Sequence, residues 1–369
     1  MSTQQPQQSP LPRLPEITRL TPSCIRILAG NPSPFTLQGT NTYLLGSGPS
    51  RLLIDTGEGK PSWAAALRRV LDDEEKEKGH GSGTSVSVSA ALLTHWHRDH
   101  TGGVRDLLRV CPGARVYKWR GGRFLDLELE GKGGGDGGGE VLVEELQDGQ
   151  RFEVAGARLT AVHAPGHTAD HTVFVWEGEE GEEGEEREGA VFTGDNVLGH
   201  GTSVFEDLGL YVGSLERMAG LYPAGGGGGG KAYPGHGAVV EDGSDKIAEY
   251  IRHRAQREEQ VVQALGSFAS RSGSSSSPVS AAAAAAGVVE AELPEQAGGG
   301  RTGGDDDAWT AMELVKTIYR GVPESLHPAA ARGVVQILQK LQREGKVVDV
   351  DAGERWRLAS TAGSGRSAL

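Results

Sequence analysis

Thr94-His95-Trp96-His97-Arg98-Asp99-His100-Thr101-Gly102-Gly103 packs three imidazoles and a carboxylate together, directly after the apolar run Ala90-Ala91-Leu92-Leu93. A short buried run followed by glycine-containing turn chemistry predicts a strand running into a loop. Alternate residues on such a loop point the same way, so His95 and His97 can grip one ion. Asp99 and His100 then turn toward a second position. Imidazole suits zinc or iron, and the added carboxylates suit a two-metal site.

Working outward, the arrangement recurs. Residues 157–163 read as a strand delivering Ala164-Pro165-Gly166-His167-Thr168-Ala169-Asp170-His171. Residues 190–192 form another, ending at Thr193-Gly194-Asp195-Asn196, and Tyr233-Pro234-Gly235-His236-Gly237 repeats the pattern of strand, sharp turn and ligand. A lone histidine is more often a satisfied core or loop residue. The weight therefore rests on four strand ends delivering ligands to one sheet edge. Upstream, residues 51–54 end at Asp55-Thr56-Gly57. Asp55 is a candidate to orient a metal-ligating histidine from behind, with capping of its turn as the plain alternative. His171 and His200 are candidate substrate contacts, proton donors or supports for the ligands. Asn41 and Thr42 are candidate cleft residues, whereas Trp96 and Phe205 read as packing or mouth-lining side chains.

The rest of the chain alternates strands and helices. Residues 17–30 read as a first strand, followed by strands over 42–45 and 51–54. Residues 61–71 carry Trp63, Ala66, Leu67, Val70 and Leu71 at amphipathic helical spacing, with proline near the start. A helix over 104–110 and strands over 114–117, 141–146 and 150–154 follow, the last two joined by an Asp148-Gly149 turn. Strands over 172–176 and 190–192 suit a hairpin with a lengthened loop, and 214–221 and 246–265 suit helices. This alternation predicts two packed α/β layers.

Composition divides the chain into a Gln/Pro-rich disordered leader (1–15) and a catalytic domain (16–265). Disordered insertions are expected near 72–84, 121–139, 177–189 and 225–230. A Ser-, Ala- and Gly-rich linker covers 266–308. Residues 309–360 then form a small unit of two helices (311–319, 329–343) and a hairpin (347–350, 354–358), which suggests a winged helix-turn-helix.

The 369 residues carry a net charge of -13, 37% hydrophobic residues and 57 glycines. Residues 177–188 hold eight glutamates against one arginine, and Asp305, Asp306 and Asp307 add three more negative charges. With these solvated runs set aside the balance is -3, which neither selects nor excludes an anionic substrate. Cys24 and Cys111 form no CxxC pair, so a reduced, cytoplasmic setting is expected, with both cysteines buried. No apolar run reaches membrane-spanning length, and the leader lacks an apolar signal core. The tail from Thr310 counts nine Lys/Arg against six Asp/Glu, a thinner basic stripe than nucleic-acid readers show.

Through HxHxDH, Pro165-Gly166-His167, Gly194-Asp195 and Gly235-His236-Gly237, the chain resembles the metallo-β-lactamase superfamily. NPSPFTLQGTNTYLLG, LIDTGEG, LTHWHRDHTGGV, PGHTADH, GDNVLGHGTSVFEDL, YPGHG and MELVKTIYRGVPESLHPAAARGVVQILQKLQREGKV are similar to its lactamase-beta-like hydrolases. The resemblance implies an αββα sandwich and two zinc ions. His95, His97 and His167 would hold the first, and Asp99, His100 and His236 the second, with Asp195 bridging. It also implies hydrolysis by an activated water, with Asp99 orienting that water and passing a proton to the leaving group. Two branches share these motifs. One contains endoribonucleases acting on single-stranded RNA; the other contains fungal thioesterases that release polyketides from the acyl carrier protein of a non-reducing synthase. GDNVLGHGTSVFEDL and SLERM are closer to the fungal branch. The leading expectation is therefore a thioesterase of secondary metabolism with an acyl carrier protein as partner and no membrane partner. RNA cleavage is the alternative, and glyoxalase-type thioester hydrolysis ranks below it.

Overall fold

The computed structural model describes residues 11–77, 85–120, 141–177, 189–222, 230–267, 308–321, 323–324 and 327–359. The chain divides into two compact units between Ile251 and Arg252. In the first, the order is β1 (Ile17–Thr21), β2 (Cys24–Leu28), β3 (Asn41–Leu45), β4 (Ser50–Ile54), α1 (Pro61–Glu77), β5 (Ser87–Leu92), α2 (Arg98–Thr101), α3 (Val104–Val110), β6 (Arg115–Lys118) and β7 (Val143–Glu145). Then come β8 (Arg151–Val154), β9 (Ala157–His163), β10 (Thr172–Trp176), β11 (Ala190–Gly194), α4 (Leu208–Ala219), β12 (Ala232–Pro234) and α5 (Gly243–Gly266), which crosses into the second unit.

Seven strands form one sheet in the order β1-β2-β3-β4-β5-β6-β7, and five form another in the order β12-β11-β10-β9-β8. Pairing is antiparallel from β1 to β4 and parallel from β4 to β7. The second sheet is antiparallel except for β11 and β12. Successive side chains on a strand point to opposite faces, and the central strands bury both. Ile25, Ile27, Leu44, Leu53 and Ala91 pack with Trp63 and Leu67 of α1 and Leu107 of α3. Tyr43, Leu45, Leu52, Ile54 and Leu92 instead meet Leu159, Phe174 and Phe192 of the second sheet. The two sheets thus share one core while α1 and α3 cover the outer face of the first, as the layered α/β reading anticipates.

Three local readings change. The strand expected over 17–30 is a hairpin, because Pro22-Ser23 turn the chain and β1 pairs back onto β2. Asp148-Gly149 is no hairpin turn: β7 lies on the edge of one sheet and β8 on the edge of the other, so this connection crosses between sheets. The expected insertion at 72–84 begins inside α1, which continues to Glu77. Residues 78–84 lie outside the described ones, as do 121–140, 178–188, 223–229 and the expected leader through residue 10. Most of the expected linker does too.

The second unit contains the rest of α5, then β13 (Trp309–Thr310), α6 (Ala311–Ile318), α7 (His327–Arg343), β14 (Val347–Asp349) and β15 (Arg355–Leu358). Thr310 and Glu313 close a capping box at the start of α6. Leu314, Val315, Leu338, Leu341, Val347 and Trp356 are buried, and the sheet order is β13-β15-β14. Helix, helix and hairpin reproduce the winged-helix reading, with β13 as an added strand.

Glu74 explains why α1 runs on. Its carboxylate accepts from Arg51 of β4 at 2.8 Å and from Arg19 of β1, and both Glu74 and Arg51 are buried. Burial alone would raise the Glu74 carboxyl, but Arg19 and Arg51 outweigh it and hold it below the ordinary 4.5. Glu74→Ala leaves the Arg51 guanidinium without its counter-charge and costs about 3–5 kcal/mol, read as a shift of the urea midpoint. Because the folded-state pKa is depressed, the stability from this pair is present in full above pH 4.5 and is lost as pH falls through the depressed value. Equal midpoints for wild type and Glu74→Ala at both pH 7 and pH 3 contradict this assignment.

Candidate metal centre

The C-terminal ends of β5, β9, β11 and β12 deliver seven side chains to one place. The ligand atoms of His95, His97, His167 and Asp195 lie within 4.8 Å of one another, as do those of Asp99, His100 and His236. Two glycines are required by this crowding. At Gly194, φ is +49° and a Cβ would sit 2.7 Å from His171 Nε2. At Gly235, a Cβ would run into Asp195 Oδ1.

Hydrogen bonds settle how each imidazole faces the cluster. Thr94 Oγ1 lies 2.9 Å from Asp55 Oδ2 and 3.0 Å from His95 Nδ1. The Asp55 carboxylate is ringed by donors, for it also accepts the Thr94 N–H at 2.8 Å and His100 Nδ1 at 2.7 Å. The hydroxyl's single proton therefore goes to the carboxylate, and His95 Nδ1–H donates to the hydroxyl oxygen. His95 is left with a lone pair on Nε2. His167 Nδ1 likewise donates to the Val204 carbonyl at 2.8 Å and turns Nε2 inward.

Both of those inward nitrogens meet His97 Nδ1, at 2.9 Å from His95 and 3.2 Å from His167. His97 can offer a proton to one of them at most, so lone pairs confront each other at contact distance. Such a set suits a cation. Burial, then the neighbouring His100 and His167, keeps His95 well below the ordinary imidazole range. Burial, then His167 and His100, lowers His97 to about 4. Both rings are thus neutral donors at pH 7, the form a metal ligand requires.

The other half is charge-paired. Asp195 Oδ1 accepts no hydrogen bond and lies 3.4 Å from His100 Nε2, while Oδ2 lies 3.2 Å from His236 Nε2 and 3.7 Å from His167 Nε2. Asp195 therefore faces both groups. Burial would lower His236, but Asp195 and Asp99 outweigh it and raise it to about 9. His100 is raised in the same way by Asp99, Asp195 and Asp55. The negative charge of Asp99 and Asp195 beside His100 and His236, whose Nε2 atoms face each other at 3.3 Å, marks a place where a dication's charge would be accommodated.

Of the remaining candidates, Asp55 contacts His100 directly and His95 through Thr94. His171 is buried, and its Nε2 accepts the Asp195 N–H at 3.0 Å, which fits the supporting role among its expected readings. Asn41 does not line a cleft: buried, it donates through Nδ2 to the carbonyls of Pro234 and Gly237, both at 2.9 Å, and clamps the turn that carries His236. Thr42 is also buried, between Trp63 Nε1 and the Ile27 carbonyl. His200 is exposed. Phe205 stacks on Tyr211, with centroids 5.3 Å apart. Sequence reasoning missed Thr94 as the link between Asp55 and His95. It also missed Lys118, whose ammonium pairs with Asp170 between the two histidines His167 and His171, both partners being buried.

A family model described as the metallo-β-lactamase superfamily matches residues 35–246, and one described as the β-lactamase-associated winged-helix domain matches 310–356. The lactamase-like protein adaB of Aspergillus niger is 40% identical over 92% of this chain and 87% of its own length. The atrochrysone carboxyl ACP thioesterase of Aspergillus chevalieri is 37% identical over 95% of this chain and 91% of its own. The beta-lactamase-like protein 2 homolog of Drosophila melanogaster is 38% identical over 90% and 92%. Among solved structures, a metallo-β-lactamase family protein from Thermus thermophilus superposes with a TM-score of 0.57 at 23% identity, covering 92% of this chain and all of its own. That likeness concerns the fold.

Asp55→Asn leaves one acceptor oxygen where two serve Thr94 and His100, and sets an amide donor in place of the other. Zinc affinity, measured by competition with a chromogenic chelator, should fall about 10–100-fold while the far-UV spectrum is retained. Unchanged zinc affinity counts against Asp55 as the organiser of these ligands.

Proposed function

The chain belongs to the metallo-β-lactamase superfamily, and from that premise we propose that it is a di-zinc thioesterase releasing a polyketide from an acyl carrier protein. The observation that carries the reading is the convergence of seven metal-type ligands in a chain similar along nearly its whole length to a protein named as an ACP thioesterase. His95, His97 and His167 would hold one zinc ion, Asp99, His100 and His236 the other, and Asp195 would serve both. When bound, such ions supply Lewis acidity and lower the pKa of water toward neutrality.

The chain's own residues supply orientation and proton handling. Asp99 Oδ2 is engaged by His100 at 3.3 Å and by His236 at 3.2 Å. The Asp99 side chain keeps 23% of its surface exposed, against 11% for Asp195. Oδ1 of Asp99 is thus the carboxylate oxygen available to orient water and to carry its proton to the leaving group. A thiolate departs with little protonation, so one modest proton carrier suffices for a thioester. Exposed apolar side chains on the loops that lead to these residues would be available to an apolar acyl chain. Phe35, 83% exposed, sits on the loop that ends at Thr40 beside Asp99. Val204, 68% exposed, lies on the loop whose carbonyl holds His167.

The decisive measurement offers the purified protein a carrier-bound polyketide thioester and a single-stranded RNA side by side. Zinc-dependent thiol release is expected, abolished by chelation and by His97→Ala or Asp195→Ala without unfolding. RNA cleavage that tracks zinc content, beside an inert thioester, overturns the reading.

A further inference from the structure

Asn31 and Thr40 are the two feet of the loop between β2 and β3, and both are buried. The Thr40 N–H donates to Asn31 Oδ1 at 2.9 Å. A backbone N–H can only donate, so this contact fixes which end of the Asn31 amide is oxygen. Nδ2 at the other end then donates to Thr40 Oγ1 at 3.0 Å. With that lone pair engaged by a donor, the single hydroxyl proton of Thr40 points elsewhere. Its partner is Asp99 Oδ2 at 3.3 Å, and a carboxylate accepts. The chain runs one way only: Asn31 amide to Thr40 hydroxyl to Asp99.

The loop is built to hold this chain still. Thr36 Oγ1 donates to the Asn31 carbonyl at 2.5 Å, and Gly39 N donates to the Thr36 carbonyl at 2.8 Å. Ala29 N donates to the Thr40 carbonyl at 2.8 Å, and Thr40 forms an antiparallel bridge with His236. We propose that Asn31 and Thr40 are positioning residues for Asp99. Their directed proton holds Oδ2 toward His100 and His236, so that Oδ1 remains the oxygen facing water and leaving group. This inference rests on the role assigned to Asp99 above.

Two isosteric substitutions test it. Thr40→Val keeps the shape and removes the proton. Asn31→Asp keeps the acceptor for the Thr40 N–H but replaces the amide donor with a second acceptor, which draws the hydroxyl proton away from Asp99. Each should lower kcat about 10–100-fold with little change in KM, and weaken zinc in chelator competition by about the same factor. Thr40→Ser restores the proton and should recover most of both. Thermal unfolding of each variant is followed in parallel, and Asn31→Asp carries the test should Thr40→Val fail to fold. Wild-type zinc affinity in Asn31→Asp, or a Thr40→Ser as impaired as Thr40→Val, overturns the proposal. The zinc competition needs no substrate. An inert wild-type enzyme on the thioester defeats the functional reading alone, while retained zinc affinity in Asn31→Asp defeats this one.

Discussion

Thr94 Oγ1 has one proton to give, and its position between Asp55 and His95 decides how the whole cluster is wired. Because the proton goes to Asp55, His95 must donate from Nδ1 and show a lone pair from Nε2. The same carboxylate takes Nδ1–H from His100, so one acidic side chain at the end of β4 fixes the tautomers of two imidazoles at the end of β5. The parallel pairing of β4 and β5 puts those ends side by side, with Ile54 opposite Leu92. Sheet register thus reaches the chemistry through Asp55, directly at His100 and by way of one hydroxyl at His95.

A cluster of lone pairs and carboxylates gains nothing from hydrophobic burial, so its geometry must be imposed from outside. The imposition is largely polar. Asn41 clamps the His236 turn, His171 holds the Asp195 backbone, and Val204 anchors His167. Between the sheets, Thr172 N donates to the Thr94 carbonyl at 2.8 Å, and the buried Lys118–Asp170 pair joins the end of β6 to the loop carrying His167. Buried ion pairs of this kind often contribute little net stability relative to apolar replacements. Their value here is placement. Trp119 reinforces it by stacking on His163, with ring centroids 3.9 Å apart.

The convergent metal-type side chains were legible in the sequence because each is written locally, as an apolar run, a glycine turn and a histidine or carboxylate. So were the layered architecture and the helix-helix-hairpin unit near the C-terminus. What escaped depends on partners far apart in sequence. Glu74 looks like part of an acidic insertion until Arg51 and Arg19 from two strands are brought to it. Asn41 and Thr42 look like cleft residues until β3 is seen as a central strand with both faces covered. The β1–β2 hairpin is a different failure, since Pro22 inside the supposed strand carried the signal: proline cannot serve a ladder interior. Asp148-Gly149 had hairpin chemistry but joined strands of separate sheets, a distinction that turn residues alone do not encode.

The glycine- and glutamate-rich stretches show why so decorated a chain keeps its site. Residues 78–84, 178–188 and 223–229 precede β5, β11 and β12 respectively. In each case the stretch joins the N-terminal end of a strand whose C-terminal end is followed by a metal-type side chain. Loop length costs little closure entropy, and the strand end at which each stretch rejoins the described chain is opposite to the end followed by a metal-type side chain. Residues 121–140 differ, for they follow β6 at its C-terminal end, on the same side as the cluster. At that end of β6 the Lys118–Asp170 pair and the Trp119–His163 stack tie the strand to β9 and to the loop that carries His167. The buried ion pair thereby finds a physical reason beyond stability: it holds the end of β6 against the loop that carries His167.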